Sequence, residues 1–125
     1  GEQMILKSAL MCLALTVHFE SRGEPIKGQY AVAEVVMNRA EKRNLTVCQV
    51  VKQKGQFSWL PKWNRKLPTH NKHWEQSVSI AETVLKGKVT NYTKGSRYFR
   101  HKSGLNRSIM VSPIIIGNHV FYKHK

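Results

Sequence analysis

The stretch from Met4 to Phe19 is almost wholly apolar, ends on the carboxylate of Glu20, and is then broken by Gly23 and Pro25. Such a run is too short to span a bilayer. It also lacks the basic leading segment and small-residue cleavage pattern of an export signal. It is therefore read as a helix buried on most sides, around which the rest of the chain must wrap. With 125 residues and 41% hydrophobic content, one core and one domain covering 1–125 are expected, without disulfide or metal staples. Cys12 and Cys48 lie in apolar segments without a C-x-x-C pair, so they are read as two buried thiols acting as small hydrophobes, with a disulfide as the second reading.

The second half of that opening segment carries the chemistry. The chain contains no aspartate, so carboxylate acid–base work falls to Glu2, Glu20, Glu24, Glu34, Glu41, Glu75 or Glu82. Glu20 alone joins the end of an apolar helix to a turn. Desolvation by its apolar neighbours and the negative end of the helix dipole both favour its neutral acid, which Arg22 would oppose if it turned inward. Glu24, next to Pro25 at the start of a second helix, sits near positive dipole charge and should stay ionised. Two carboxylates pushed in opposite directions is how acid and base roles separate in glycoside hydrolysis. The bland alternative makes Glu20 a solvent contact and Ser21-x-x-Glu24 a capping box.

Further along, Ala31, Val32, Val35, Val36 and Ala40 recur at helical spacing, with basic residues up to Arg43 and a stop at Asn44. Glu34 falls inside that apolar face and needs a partner, Arg39 or a backbone group, in a structural role. Thr46 caps a short helix carrying Val47, Val50 and Val51, ended by Gly55. Gln56 to Asn71 is an ordered aromatic loop. A fourth helix carries Trp74, Val78, Ala81 and Leu85 and stops at Gly87. Val89 to His101 and Ile114 to Tyr122 are rich in β-branched and aromatic residues and suggest a small antiparallel pairing. The fold class expected is α+β, mainly α.

Twenty-one Lys and Arg against seven Glu give a net charge of +14, which points to a polyanionic partner: nucleic acid, anionic membrane or the anionic bacterial envelope. A cationic metal-dependent nuclease could use His101 with Asn118-His119, although no aspartate is present to hold Mg²⁺. A non-catalytic binding module could stack ligands on Trp59, Trp63 and Tyr98, but it leaves Glu20 unexplained. His18-x-Glu20 lacks the partner motif of zinc deaminases. His70 and His73 lack a third ligand and read as surface residues, so no metal site is expected.

The pattern Glu20-x-Arg22-Gly23-Glu24-Pro25, followed by Gly28-Gln29-x-Ala31-Val32-Ala33 and Val36-x-Asn38-Arg39, resembles the catalytic domain of spore cortex-lytic and related cell-wall hydrolases. The resemblance continues through Gly55-Gln56-Phe57-Ser58-Trp59, Ala81-x-x-Val84-x-x-Gly87 and Ile116-Gly117-Asn118-His119-x-Phe121-Tyr122, and so spans nearly the whole chain. It implies a lysozyme-like, mainly helical fold and cleavage of peptidoglycan between N-acetylmuramic acid and N-acetylglucosamine. Glu20 is then the catalytic acid of a lytic transglycosylase that leaves 1,6-anhydromuramyl ends and needs no cofactor. A muramidase would add Glu24 as the second carboxylate. Ser21, Gln56, Ser58, Trp59, Tyr98, His101 and Asn118 are placed around the sugar by motif position. Phe57 and Trp59 fit core or cleft equally, whereas Phe121 and Tyr122 are assigned to the core. The basic surplus suits a phage endolysin or another envelope-targeted enzyme, acting as a monomer in the periplasm or cell wall on glycan strands, with no specific nucleic-acid partner and no transmembrane segment.

Overall fold

The computed structural model describes residues 8–53, 57–68, 71–87 and 90–125. Helix α1, Ala9–Ser21, starts where the Ser8 hydroxyl accepts from the Met11 amide, and its residues Cys12 to His18 are all buried. A helix with no polar stripe is stable only when covered. Full burial of Leu13, Leu15 and Val17 is worth about 1.5–3 kcal/mol each, well above the few tenths separating helix propensities. Helices α2 (Ile26–Arg43), α3 (Val47–Lys52) and α5 (Lys72–Leu85) supply the cover.

Pro25 stands just ahead of α2, and Asn44 closes it in the left-handed conformation at φ 54°. Thr46 and Gln49 form a reciprocal capping box on α3, with Gln49 N donating to Thr46 Oγ1 at 3.1 Å and Thr46 N donating to Gln49 Oε1 at 2.8 Å. The α3 helix ends at Lys52, and the stop expected at Gly55 lies outside the described residues. A single turn of helix, α4 (Trp59–Lys62), interrupts the aromatic loop. Asn71 caps α5, and Gly87, at φ 79°, follows its end.

Cys12 and Cys48 are joined by a disulfide across 36 residues, with Cα atoms 5.4 Å apart. The reading of two free thiols is thereby corrected, because the packing of α3 against α1 brings the two side chains into bonding range. The sheet also has one more strand than expected. β1 (Tyr98–His101) and β2 (Met110–Ile116) both pair antiparallel with a central β3 (His119–His124). The segment from Ile114 to Tyr122, expected as one strand, is split by the turn at Gly117-Asn118, where Gly117 has φ 59°. Ser112, at φ 52°, lies where the β2–β3 register shifts between Val111 and Ile114.

The main core lies between α1, α2, α3, α5 and the tryptophans 59, 63 and 74. A second cluster, Ala31, Val32, Val35, Ile116 and Phe121, seats the sheet against α2. The α2 helix thus touches both halves of the fold. Phe121 and Tyr122 are buried as expected. Among the described residues no helix is long and apolar enough to cross a membrane.

Candidate active site

Glu20 projects from the last turn of α1 and is half-buried. Burial raises its carboxyl above the ordinary value, and the positive charge of Arg39 pulls it partly back. Arg39, not Arg22, is the cation that acts on Glu20. Its place on α2 explains why: Val32, Val35 and Arg39 fall on one i, i+3, i+7 row, so the face that buries the valines also carries the guanidinium inward. Arg39 is only 5% exposed. Its Nε donates to the Arg97 carbonyl at 2.6 Å, and the guanidinium lies over the rings of Phe57 and Tyr98 at 5.5 and 5.2 Å. Burial and the neighbouring Arg43 lower its pKa, opposed by Tyr98, Tyr122 and Glu20, yet a guanidinium stays charged in any such setting.

Tyr98 is half-buried, stacks on Tyr122 at 5.7 Å, and receives an Arg43 Nη2 hydrogen bond at its hydroxyl at 3.4 Å. Arg43 Nη1 also donates to Gln53 Oε1 at 2.6 Å. The region around Glu20 therefore combines one acid held toward its neutral form, a fixed guanidinium and a tyrosine edge.

Glu24 has a different setting. Its two oxygens accept from the backbone N and side-chain Nδ2 of Asn118, at 2.8 and 3.0 Å, and Oε1 lies 3.9 Å from His119 Nδ1. Burial would raise its pKa, but the two Asn118 hydrogen bonds, aided by His119 and His101, win and hold it below the ordinary value. The carboxylate stays ionised, as its position in the sequence suggested, and it clamps the β2–β3 turn. A side chain at Gly117 would put a Cβ 2.5 Å from Glu24 Oε1, so only glycine lets the turn approach this closely. His119 is pushed toward the neutral form by burial, against the pull of Glu24.

The remaining expected sugar contacts divide. His101 pairs with His119 across β1 and β3, and its Nδ1 accepts from the Ser103 amide at 3.1 Å. His101 and Asn118 are exposed on the Glu24 side, and Ser58 is exposed at the start of α4. Two others turn inward. Ser21 is 2% exposed and its hydroxyl donates to the Val17 carbonyl at 2.7 Å, a backbone bond within the helix that replaces the expected capping box and removes the hydroxyl from the solvent side. Trp59 is 8% exposed and stacks on Phe19 at 5.2 Å, so it supports the end of α1 from the core. Trp63 is equally buried, and a binding module built on these two tryptophans has no exposed platform. Gln56 lies outside the described residues, as does His70.

Glu34 is satisfied without Arg39. It accepts from Thr90 Oγ1, Tyr92 N, Thr93 N and Thr93 Oγ1 at 2.9–3.1 Å and so anchors the segment leading into β1. Among the described residues no three His, Cys, Asp or Glu side chains are grouped to hold a metal ion.

Comparison with known proteins agrees with this fold. The catalytic domain of the germination-specific lytic transglycosylase SleB from Bacillus anthracis is 27% identical over 92% of this chain and 93% of its own, with a TM-score of 0.70. The catalytic domain of the Bacillus cereus SleB protein, 23% identical over 92% of this chain and 89% of its own, shares the fold with a TM-score of 0.71. No curated protein sequence matches the chain. The cell wall hydrolase family model matches residues 23–122, beginning just after Glu20 and containing Glu24, Arg39, Tyr98 and Asn118. The chain therefore belongs to the cell wall hydrolase family and is a peptidoglycan-cleaving enzyme.

Proposed function

We propose that this enzyme cuts the glycan strand between N-acetylmuramic acid and N-acetylglucosamine as a lytic transglycosylase, with Glu20 as the only carboxylate that does chemistry. The observation that carries the reading is the contrast between the two acids. Glu20 is driven toward its neutral form by burial, whereas Glu24 is ionised and has both oxygens engaged by Asn118. Protonated Glu20 gives its proton to the glycosidic oxygen, and the bond to the muramyl C1 breaks as the leaving sugar departs with a hydroxyl. The substrate's acetamido group supports the positive centre at C1. Arg39 stabilises the carboxylate left behind, which then takes the proton of the muramyl 6-hydroxyl as that oxygen bonds to C1. The product is a 1,6-anhydro ring, no water is consumed, and Glu20 ends protonated.

Tyr98, Ser58, Gln56, His101 and Asn118 are assigned to the sugar, while Ser21 and Trp59 hold the helix end that carries Glu20. The net charge of +14 draws the enzyme to the anionic envelope, and the whole chain acts as one domain and one monomer. Digestion of purified peptidoglycan in the presence of chelator, followed by mass spectrometry, tests the reading. Products one water lighter than hydrolytic muropeptides, lost in Glu20→Gln, are expected. Ordinary reducing ends would instead make it a muramidase and bring Glu24 into the chemistry.

A further inference from the structure

Next to the Glu20 end of α1, an open pocket of about 280 Å³ lies between Phe19 on the helix, Arg22 just past its end, and Trp63, Lys66 and Leu67 on a later loop. The loop is firmly built. Trp63 Nε1 donates to the Lys66 carbonyl at 2.9 Å, Asn64 Oδ1 accepts from the Lys66 amide at 3.0 Å, and Arg65 takes a left-handed φ of 67°.

Arg22 is exposed but tethered to the helix. Its Nη1 donates to His18 Nε2 at 3.2 Å, and its guanidinium lies 5.9 Å from the centre of the Phe19 ring. Burial foremost, then the charges of Arg22 and His73, hold His18 toward its neutral form, as an acceptor for Arg22 must be. Neither Arg22 nor Lys66 is paired with a carboxylate among the described residues, and no acidic side chain is among those lining the pocket. A tethered, solvent-facing guanidinium with further N–H donors, beside a second cation and an apolar wall, is a receptor for a carboxylate carried on a partly apolar chain.

We propose that this pocket binds the acidic peptide stem of peptidoglycan, with Arg22 gripping a stem carboxylate and Lys66 adding charge. The inference rests on the glycan-cleaving reading above, and the chemistry of the substrate supports it. The stem hangs from the lactyl group of the same muramic acid whose C1 is attacked, so it leaves the sugar within one ring of the bond presented to Glu20. Phe19 immediately precedes Glu20 and Arg22 caps the end of α1, so the pocket lies beside the helix end that carries the acid, within reach of a stem several residues long. The pocket thereby makes the enzyme prefer strands that keep their peptides over bare glycan.

Cleavage rates on intact peptidoglycan, and on the same strands stripped of stems by an amidase, give a ratio that reads this preference directly. In Arg22→Ala the intact-to-stripped ratio should fall roughly tenfold relative to the parent enzyme, the factor expected for one charge-assisted hydrogen bond. Arg22→Lys should fall in between, and Lys66→Ala severalfold. An unchanged ratio in a folded Arg22→Ala protein overturns the stem pocket while leaving glycan cleavage intact. A second measurement does not depend on cleavage: titration of Glu20→Gln protein with free stem peptide, followed by the NMR signal of Arg22 Nε–H. A saturable shift, abolished by Lys66→Ala or by high salt, supports the pocket, and no shift overturns it.

Discussion

Replacing Gly117 with alanine should disable the clamp between the β2–β3 turn and the start of α2. Two costs add. An L-residue in the left-handed region at φ 59° costs about 1–2 kcal/mol more than glycine. The new Cβ, 2.5 Å from Glu24 Oε1 and 2.9 Å from Pro25 Cδ, also forces the carboxylate away from Asn118. A hydrogen bond to a charged group is worth about 1.5–3 kcal/mol, and the Asn118 donors regain part of that from water because the residue is exposed. About 1–2 kcal/mol is thus left for the broken clamp, and about 2–4 kcal/mol for the whole substitution. Urea unfolding followed by tryptophan fluorescence, run for Gly117→Ala, Glu24→Ala and the double variant, separates the parts. With Glu24 truncated the carboxylate clash is gone, so Gly117→Ala should then cost only the backbone term and the Pro25 contact, and the coupling energy should be about 1–2 kcal/mol at pH 7. Glu24 has a depressed folded pKa, so its contribution is complete above the unfolded value and should vanish as pH falls through the folded one. An equal cost of Gly117→Ala in both backgrounds would refute the idea that glycine is there to admit the carboxylate.

Glu20→Gln should raise the melting temperature at pH 7 while abolishing wall cleavage. The raised folded pKa of Glu20 means that ionisation costs stability once pH passes the unfolded value, so the gain should disappear near pH 3, and a variant no more stable at neutral pH would contradict the burial argument. Reducing Cys12–Cys48, which closes a 36-residue separation, should lower stability by about 2–4 kcal/mol in urea titrations with and without reductant. Glu34→Ala should cost about 3 kcal/mol or more and strip hydrogen-exchange protection from the Tyr92 and Thr93 amides, since four donors lose their acceptor. Protection unchanged at both amides would mean that other groups hold that segment.

The helical half of the fold was legible because its signals are local. The apolar run into Glu20, the stop at Asn44, the Thr46 cap and the Trp74 helix ending by Gly87 are each set within a few residues of chain. What escaped depends on distant partners. The Cys12–Cys48 bond spans 36 residues, and the Asn118 grip on Glu24 spans 94, so neither spacing nor periodicity carries them. The sheet was read one strand short because β-branched residues run on both sides of Gly117-Asn118. The irregular Ser112-Pro113 step also disguised the first half of β2. Arg39 was readable in principle, since its spacing from Val32 and Val35 marks the buried face, but a cation near a helix end is ordinarily credited to the dipole.

The disulfide gives stability a geography. Disulfides persist in oxidising compartments and are lost in reducing ones. A contribution of about 2–4 kcal/mol shifts the ratio of folded to unfolded chains by roughly thirty to a thousand. The same polypeptide is therefore a weaker, more readily degraded enzyme in the cytosol, and a durable one only outside the reducing interior, where peptidoglycan lies. One covalent bond between α1 and α3 thus couples how long the enzyme survives to where it stands.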